Sequence, residues 1–135
     1  MPFVDANVFL RHLTGDDPKK AEACYALFQK AQGGEIALIT SESVIAEVVY
    51  VLSSRHLYDL PRERIRALLY PILSLRGLKL PHRRTYLQAL DLYADSNLDF
   101  EDALAVAQMK RKKIQEIYSY DRGFDRVAGI RRLEP

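Results

Sequence analysis

This sequence predicts an α/β layer fold with a mainly parallel sheet flanked by helices, and three observations lead there. Short apolar runs of strand length alternate with longer segments of helical spacing along the whole chain. Gly and Pro fall singly, or as the pair Gly33-Gly34, between those segments, where turns belong. A length of 135 residues with 48% hydrophobic and 28% charged side chains suits one globular domain, residues 1–135.

Phe3-Val4 is the first strand candidate, followed by a helix to about Leu13. Pro18 opens a second helix, whose Ala21, Cys24, Tyr25, Phe28 and Ala31 recur at i, i+3, i+4 spacing. Gly33-Gly34 ends it. Residues 36–39 read as a strand, and Thr40 or Ser41 can cap a helix to about Arg55. Pro61 opens a helix with Ile65, Leu68, Leu69, Ile72 and Leu73 on one face. Residues 78–80 read as a strand, and Pro81 leads into a helix carrying Leu87, Leu90 and Tyr93. Residues 100–112 form a helix that is apolar almost all round up to its basic end, as a buried helix is. Residues 117–120 read as a strand and 130–133 as a last edge strand. Parallel strands joined by helices cross over right-handed, and such sheets hold ligands beyond the carboxyl ends of their strands.

Composition removes several function classes. The longest apolar runs, 48–52 and 103–107, are five residues each, against the ~20 that a membrane-spanning helix needs. Strand-like residues begin at Phe3, which leaves no signal peptide in the reading. The one cysteine, Cys24, excludes an internal disulfide and any Cys-based zinc site, and predicts a reducing, cytoplasmic setting. His12, His56 and His82 have no ligand spacing among them. No Gly-x-Gly-x-x-Gly or Gly-Lys-Ser/Thr loop occurs.

The acids are the informative residues. Asp5 follows the first strand candidate, Asp102 lies in the first turn of the 100–112 helix, and Asp121 follows the 117–120 strand. Glu47 sits inside the 42–55 helix. At 100° per residue it falls about 40° beyond Val51, at the edge of the apolar face. Each acid also has a local role open to it. Asp5 can cap the first helix, Asp99 can cap the 100–112 helix with Asp102 as its partner, Glu47 can be solvated, and Asp121 can open the turn Asp121-Arg122-Gly123. If the four converge at ~5 Å, each like-charged pair costs about 3 kcal/mol at an effective dielectric of ~20. Only protons or cations offset that. Oxygen ligands alone select hard ions such as Mg²⁺ or Mn²⁺, which grip phosphates. The chemistry that follows is metal-assisted phosphodiester hydrolysis.

The formal net charge is +2, and neutralising these four acids leaves +6. Basic clusters at Arg62/Arg64/Arg66, Arg83-Arg84, Lys110 to Lys113 and Arg131-Arg132 can then meet a polyanion, although each alone also reads as a solvated face. Among eight tyrosines some can stack on bases. Tyr25, Tyr93 and Tyr118 read instead as half-buried core residues.

At this point the sequence resembles the PIN-domain ribonucleases, specifically the VapC-type toxins of toxin–antitoxin pairs, from Phe3 to Leu133. Four motifs carry the resemblance: Phe3-Val4-Asp5-Ala6-Asn7, Ser43-Val44-Ile45-Ala46-Glu47-Val48, Leu98-Asp99-Phe100-Glu101-Asp102-Ala103-Leu104-Ala105 and Tyr118-Ser119-Tyr120-Asp121-Arg122-Gly123-Phe124. It implies a single PIN-like domain and metal-coordinating Asp5, Asp102 and Asp121. Glu47 would bind the metal or orient its water, and Asn7 and Ser119 would hydrogen-bond around the site. Asp99 and Asp125 would assist it, cap a helix or sit on its rim. The resemblance also implies Mg²⁺ or Mn²⁺, an RNA substrate, a homodimer, and a cognate antitoxin that lays a helical segment over the acidic cleft.

Two rival readings remain beside the endoribonuclease. One is an RNA- or protein-binding module that keeps the fold without turnover. The other is a phosphatase using Asp5 as a nucleophile; Asn7 stands where that chemistry expects its second acid.

Overall fold

Four side chains that favour helix starts divide this chain into its elements. Asp5, Asp17, Ser41 and Asp99 each accept a hydrogen bond from a backbone N–H three residues on. The computed structural model describes all 135 residues, and the chain divides into two compact units, Met1–Arg83 and Arg84–Pro135.

In the first unit, helix α1 (Ala6–Thr14) ends on Gly15 in the left-handed region, φ 68°, with the Gly15 N–H on the Arg11 carbonyl. Helix α2 (Pro18–Gln32) starts with proline in its first turn and stops at Gly33-Gly34. Strand β1 (Leu38–Ile39), helix α3 (Glu42–Ser53), helix α4 (Arg62–Leu73) and strand β2 (Leu78–Lys79) follow. Strand β1 pairs parallel with β2 in the register Leu38↔Leu78 and Ile39↔Lys79, and Phe3 bridges to Ile39, also parallel. Phe9 stacks on Phe28 at 5.4 Å. Ile45, Leu52, Ile65, Leu69, Leu73 and Leu78 are buried almost completely. Gly77 is required by close approach: a Cβ there would lie 2.3 Å from the Ala31 carbonyl oxygen and 2.7 Å from that of Ile36. Arg83 closes the unit by donating to the carbonyls of Leu75 and Leu78.

The second unit follows helix α5 (Arg83–Asp95) with helix α6 (Phe100–Arg111), strand β3 (Glu116–Tyr118), a short 3₁₀ helix (Arg122–Arg126) and strand β4 (Arg131–Leu133). Strands β3 and β4 pair parallel, Glu116↔Arg131 through Tyr118↔Leu133. Tyr93 meets Phe100 edge to face at 6.1 Å, and Ala103, Leu104, Val106 and Ala107 bury the inner side of α6.

All pairings are parallel, and the architecture is the α/β one expected. The differences are local. The strands are shorter than the apolar runs: 36–39 pairs only at Leu38 and Ile39, and 117–120 gives way to 116–118. Apolar character reports burial, whereas a ladder also needs a partner in register. Ser41, not Thr40, caps α3, and the helix ends at Ser53 rather than Arg55. Pro61 precedes α4 as a cap without a side-chain bond. No helix is long and apolar enough to cross a membrane.

Candidate active site

In the first unit the backbone leading to Asp5 is held on both sides. Val4 donates to the Ile39 carbonyl at 2.8 Å, and the buried Thr40 hydroxyl donates to the Val4 carbonyl at 2.9 Å. Asp5 then leaves the sheet, stays exposed, and accepts the Val8 N–H through Oδ1 at 3.2 Å. Asn7 is exposed in the first turn of α1, beside an open pocket of about 280 Å³ that it lines with Val8, Arg11, Lys20, Ala23 and Cys24. Glu47 is exposed midway along α3, while Val44, Ile45, Val48 and Val49 around it are buried. Helical periodicity had set it at the edge of that apolar face, and it points to solvent.

The second unit gathers acids. Asp99 caps α6 through Oδ1 on the Asp102 N–H at 2.9 Å. Asp102 is partly buried, and its carboxyl is pushed above the usual carboxylate range. Burial is the main cause; the charges of Asp99, Asp121 and Glu101 and a side-chain bond with Asp99 add to it. Asp121 stands in the turn after β3. Its N–H donates to the Ser119 hydroxyl at 3.0 Å, and its Oδ1 accepts the Gly123 N–H at 2.8 Å. A Cβ on Gly123 would lie 3.0 Å from that oxygen, so glycine leaves room for the carboxylate. Three of the expected site residues, Asp99, Asp102 and Asp121, are therefore electrostatic neighbours, and Ser119 orients the last of them.

Asp125 has a different partner. The Arg132 guanidinium grips it at 2.9 and 3.4 Å, and this bond holds its carboxyl below the ordinary range. Arg132 also donates to the Ser119 carbonyl at 3.0 Å and to Glu134 at 2.7 Å, with its side chain only 12% exposed. Sequence reasoning missed this role. Arg131-Arg132 read either as a phosphate-binding cluster or as a solvated face, but Arg132 is committed to two acids and Arg131 pairs with Glu116. Arg83, read the same way, serves backbone carbonyls. Nothing in a run of two arginines tells which one folds inward; the strand parity of β4 decides it.

Other polar candidates are structural. His12 packs on Tyr25 and Phe28, at 6.0 and 5.1 Å, and burial lowers its pKa. Burial chiefly raises the pKa of the Cys24 thiol; Arg11 opposes that and Asp5 adds to it. Tyr25 and Tyr118, expected half-buried, are 55% and 70% exposed, whereas Tyr93 is 4% exposed as a core ring should be.

In neither unit do three His, Cys, Asp or Glu side chains already form a metal cage. The donor chemistry nevertheless fits a hard divalent cation. At the start of α6 the polar side chains are carboxylates, and the raised Asp102 marks a point where positive charge relieves repulsion.

The profile of the PIN domain matches residues 3–130. The chain is 33% identical to Ribonuclease VapC13 of Mycobacterium tuberculosis over 135 residues, which is 98% of this chain and 99% of that protein. A VapC ribonuclease of Mycobacterium bovis aligns with the same figures. A VapC ribonuclease of Aquifex aeolicus is 30% identical over 136 residues, covering 100% of this chain and 97% of that one.

Proposed function

This chain belongs to the PIN domain family, and we propose that it is a divalent-metal-dependent endoribonuclease, the toxin of a VapBC-type toxin–antitoxin pair. The observation that carries the reading is the carboxylate set at the start of α6, where burial first, and then the charges of Asp99, Asp121 and Glu101, raise Asp102. Likeness to ribonucleases along their whole length supplies the substrate class. The profile match runs unbroken through both units, so we read residues 1–135 as one nuclease domain.

In this reading Asp5, Glu47, Asp102 and Asp121 serve one hydrolytic reaction and would hold Mg²⁺ or Mn²⁺. The ion, when bound, supplies an acidified water and charge stabilisation at the phosphate. The protein's own part is to keep these oxygens poised. Asp5 and Asp121 are fixed by backbone N–H groups at 3.2 and 2.8 Å. Ser119 fixes the Asp121 backbone, Asp99 sustains the negative field on Asp102, and Asn7 follows Asp5 by two residues in the first turn of α1. Asp125 acts at one remove, through Arg132. A homodimer, a cognate antitoxin that covers the acids, and a cytoplasmic setting complete the proposal; the last fits a chain with a single thiol and no disulfide.

The test is cleavage of structured and single-stranded RNA by the wild type, Asp5→Asn and Asp102→Asn, in Mg²⁺, Mn²⁺ and EDTA. Metal-dependent cutting by the wild type alone is expected. Cutting that survives both substitutions, or that ignores EDTA, would overturn the proposal. Tight RNA binding without cutting in any metal would leave the non-catalytic module.

A further inference from the structure

We propose that Tyr118 and Tyr120 form a stacking surface for unpaired RNA bases, along the outer side of β3 and the bend that leads from it into Asp121. The inference rests on the ribonuclease reading for its substrate and names how that substrate is held.

Exposure alternates strictly from Glu116 to Tyr120: out, part-buried, out, part-buried, out. That is strand parity as far as Ser119, whose N–H still pairs with the Leu133 carbonyl at 3.0 Å. Tyr118 leaves the outer side of the strand, and Tyr120 stands exposed two residues on, in the bend that follows. Their exposures are 70% and 72%. Register places Leu133 beside Tyr118 and the Glu116–Arg131 ion pair further back on that side. Ile117 and Arg132 take the opposite side, where Arg132 is buried against Asp125 and the Ser119 carbonyl. Two large rings thus stand in water, one on a strand whose other side is occupied and one just after it.

The chemistry of the neighbourhood favours RNA. Asp121 follows Tyr120 directly, and Asp99 and Asp102 add to its charge. Such a place repels a bare phosphate backbone, so contact beside it needs attraction that does not depend on charge. Base–aromatic stacking supplies that and tolerates any base. The exposed Arg122 and Arg126, just beyond Asp121, provide cations for the phosphates between the bases. A stable protein partner is a poorer match: it needs about 800 Å² per side with an apolar centre. Here an ion pair and one part-exposed leucine surround the rings. Duplex RNA keeps its bases stacked on each other, so the surface selects single-stranded segments.

The test uses fluorescein-labelled single-stranded oligoribonucleotides of adenine and uracil, bound in EDTA, with the same strands annealed to complements as a control. Tyr118→Phe and Tyr120→Phe should bind like the wild type. Tyr118→Ala and Tyr120→Ala should each bind the single strand roughly tenfold more weakly and the duplex unchanged. Circular dichroism checks that all variants fold. In cleavage the alanine variants should raise KM and leave kcat near the wild-type value. Because binding is read without metal, loss of binding in an enzyme that never cuts sinks the nuclease reading and keeps the stacking surface. Wild-type binding in the double alanine variant, or no single-strand binding by the wild type, overturns the surface itself. So does an alanine effect that appears as a change of oligomeric state on gel filtration, which would make this face a contact between copies.

Discussion

Asp5 and Asp121 each commit one oxygen, Oδ1, to a backbone N–H, at 3.2 and 2.8 Å, and each keeps Oδ2 for something else. Capping, an alternative to chemistry when read from sequence, leaves the proposed chemistry open, because the cap takes only one of the two oxygens. Asp102 differs, since its surroundings oppose its charge. Folded Asp102 holds its proton more tightly than the unfolded chain does. Between the ordinary 3.8 and its raised value, stability therefore falls as pH rises. Asp102→Asn should be at least as heat-stable as the wild type at neutral pH, and the difference should close below pH 3.8. Mg²⁺ or Mn²⁺ should raise the melting temperature of the wild type more than that of the variant. Cleavage should fall on the order of a hundredfold or more. A variant that melts lower than the wild type at pH 7 would show that Asp102 stabilises the fold, contrary to its raised pKa. The places of Asp5, Asp102 and Asp121 were legible because strand ends and helix starts are legible, and that of Glu47 because helical period is. Arg132 and the outward Tyr118 were not, because tyrosine and arginine are written alike on either face of a strand.

Helices in this chain announced themselves through caps and period. Pro18, Ser41 and Asp99 mark three starts and Gly33-Gly34 one end; the Asp17 cap and the Gly15 stop are found only in the structure. Strands did not, since β1 and β2 pair over two residues each and owe their place to contacts distant in sequence. Gly77 shows the same limit. It read as turn punctuation, yet its function is to let β2 pass within van der Waals reach of the α2 end. Gly77→Ala must displace backbone at Ala31 or Ile36, so it should destabilise the protein by about 2–3 kcal/mol. Urea unfolding followed by circular dichroism measures this as a lower midpoint with an unchanged slope. A midpoint within error of the wild type would mean that the close approach at Gly77 is easily relieved.

At the scale of the whole molecule charge decides how RNA arrives. The net formal charge is only +2, and it becomes +6 once the four acids are neutralised. Arg83, Arg131 and Arg132 are already engaged within the protein, so the cations free for phosphate are fewer than the sequence suggests. RNA binding should weaken as KCl rises, with a shallow log–log slope set by few phosphate contacts. Mg²⁺ added at constant ionic strength should strengthen it. Titrations by fluorescence anisotropy report both; affinity indifferent to salt would remove the polyanion from the account.

The pairings of the strands also differ in how much chain each must close. Glu116 and Arg131 are separated by 15 residues, whereas the Thr40–Val4 bond beside the Phe3 bridge spans 36 and β1 reaches β2 across about 40. Closing the longer loops costs close to 1 kcal/mol more entropy than closing the short one. On loop closure alone, the β3–β4 pair, with the Asp121 turn after it, costs less to form than the bridge ahead of Asp5. The turn that holds Asp121 therefore depends less on distant chain than the backbone that leads to Asp5.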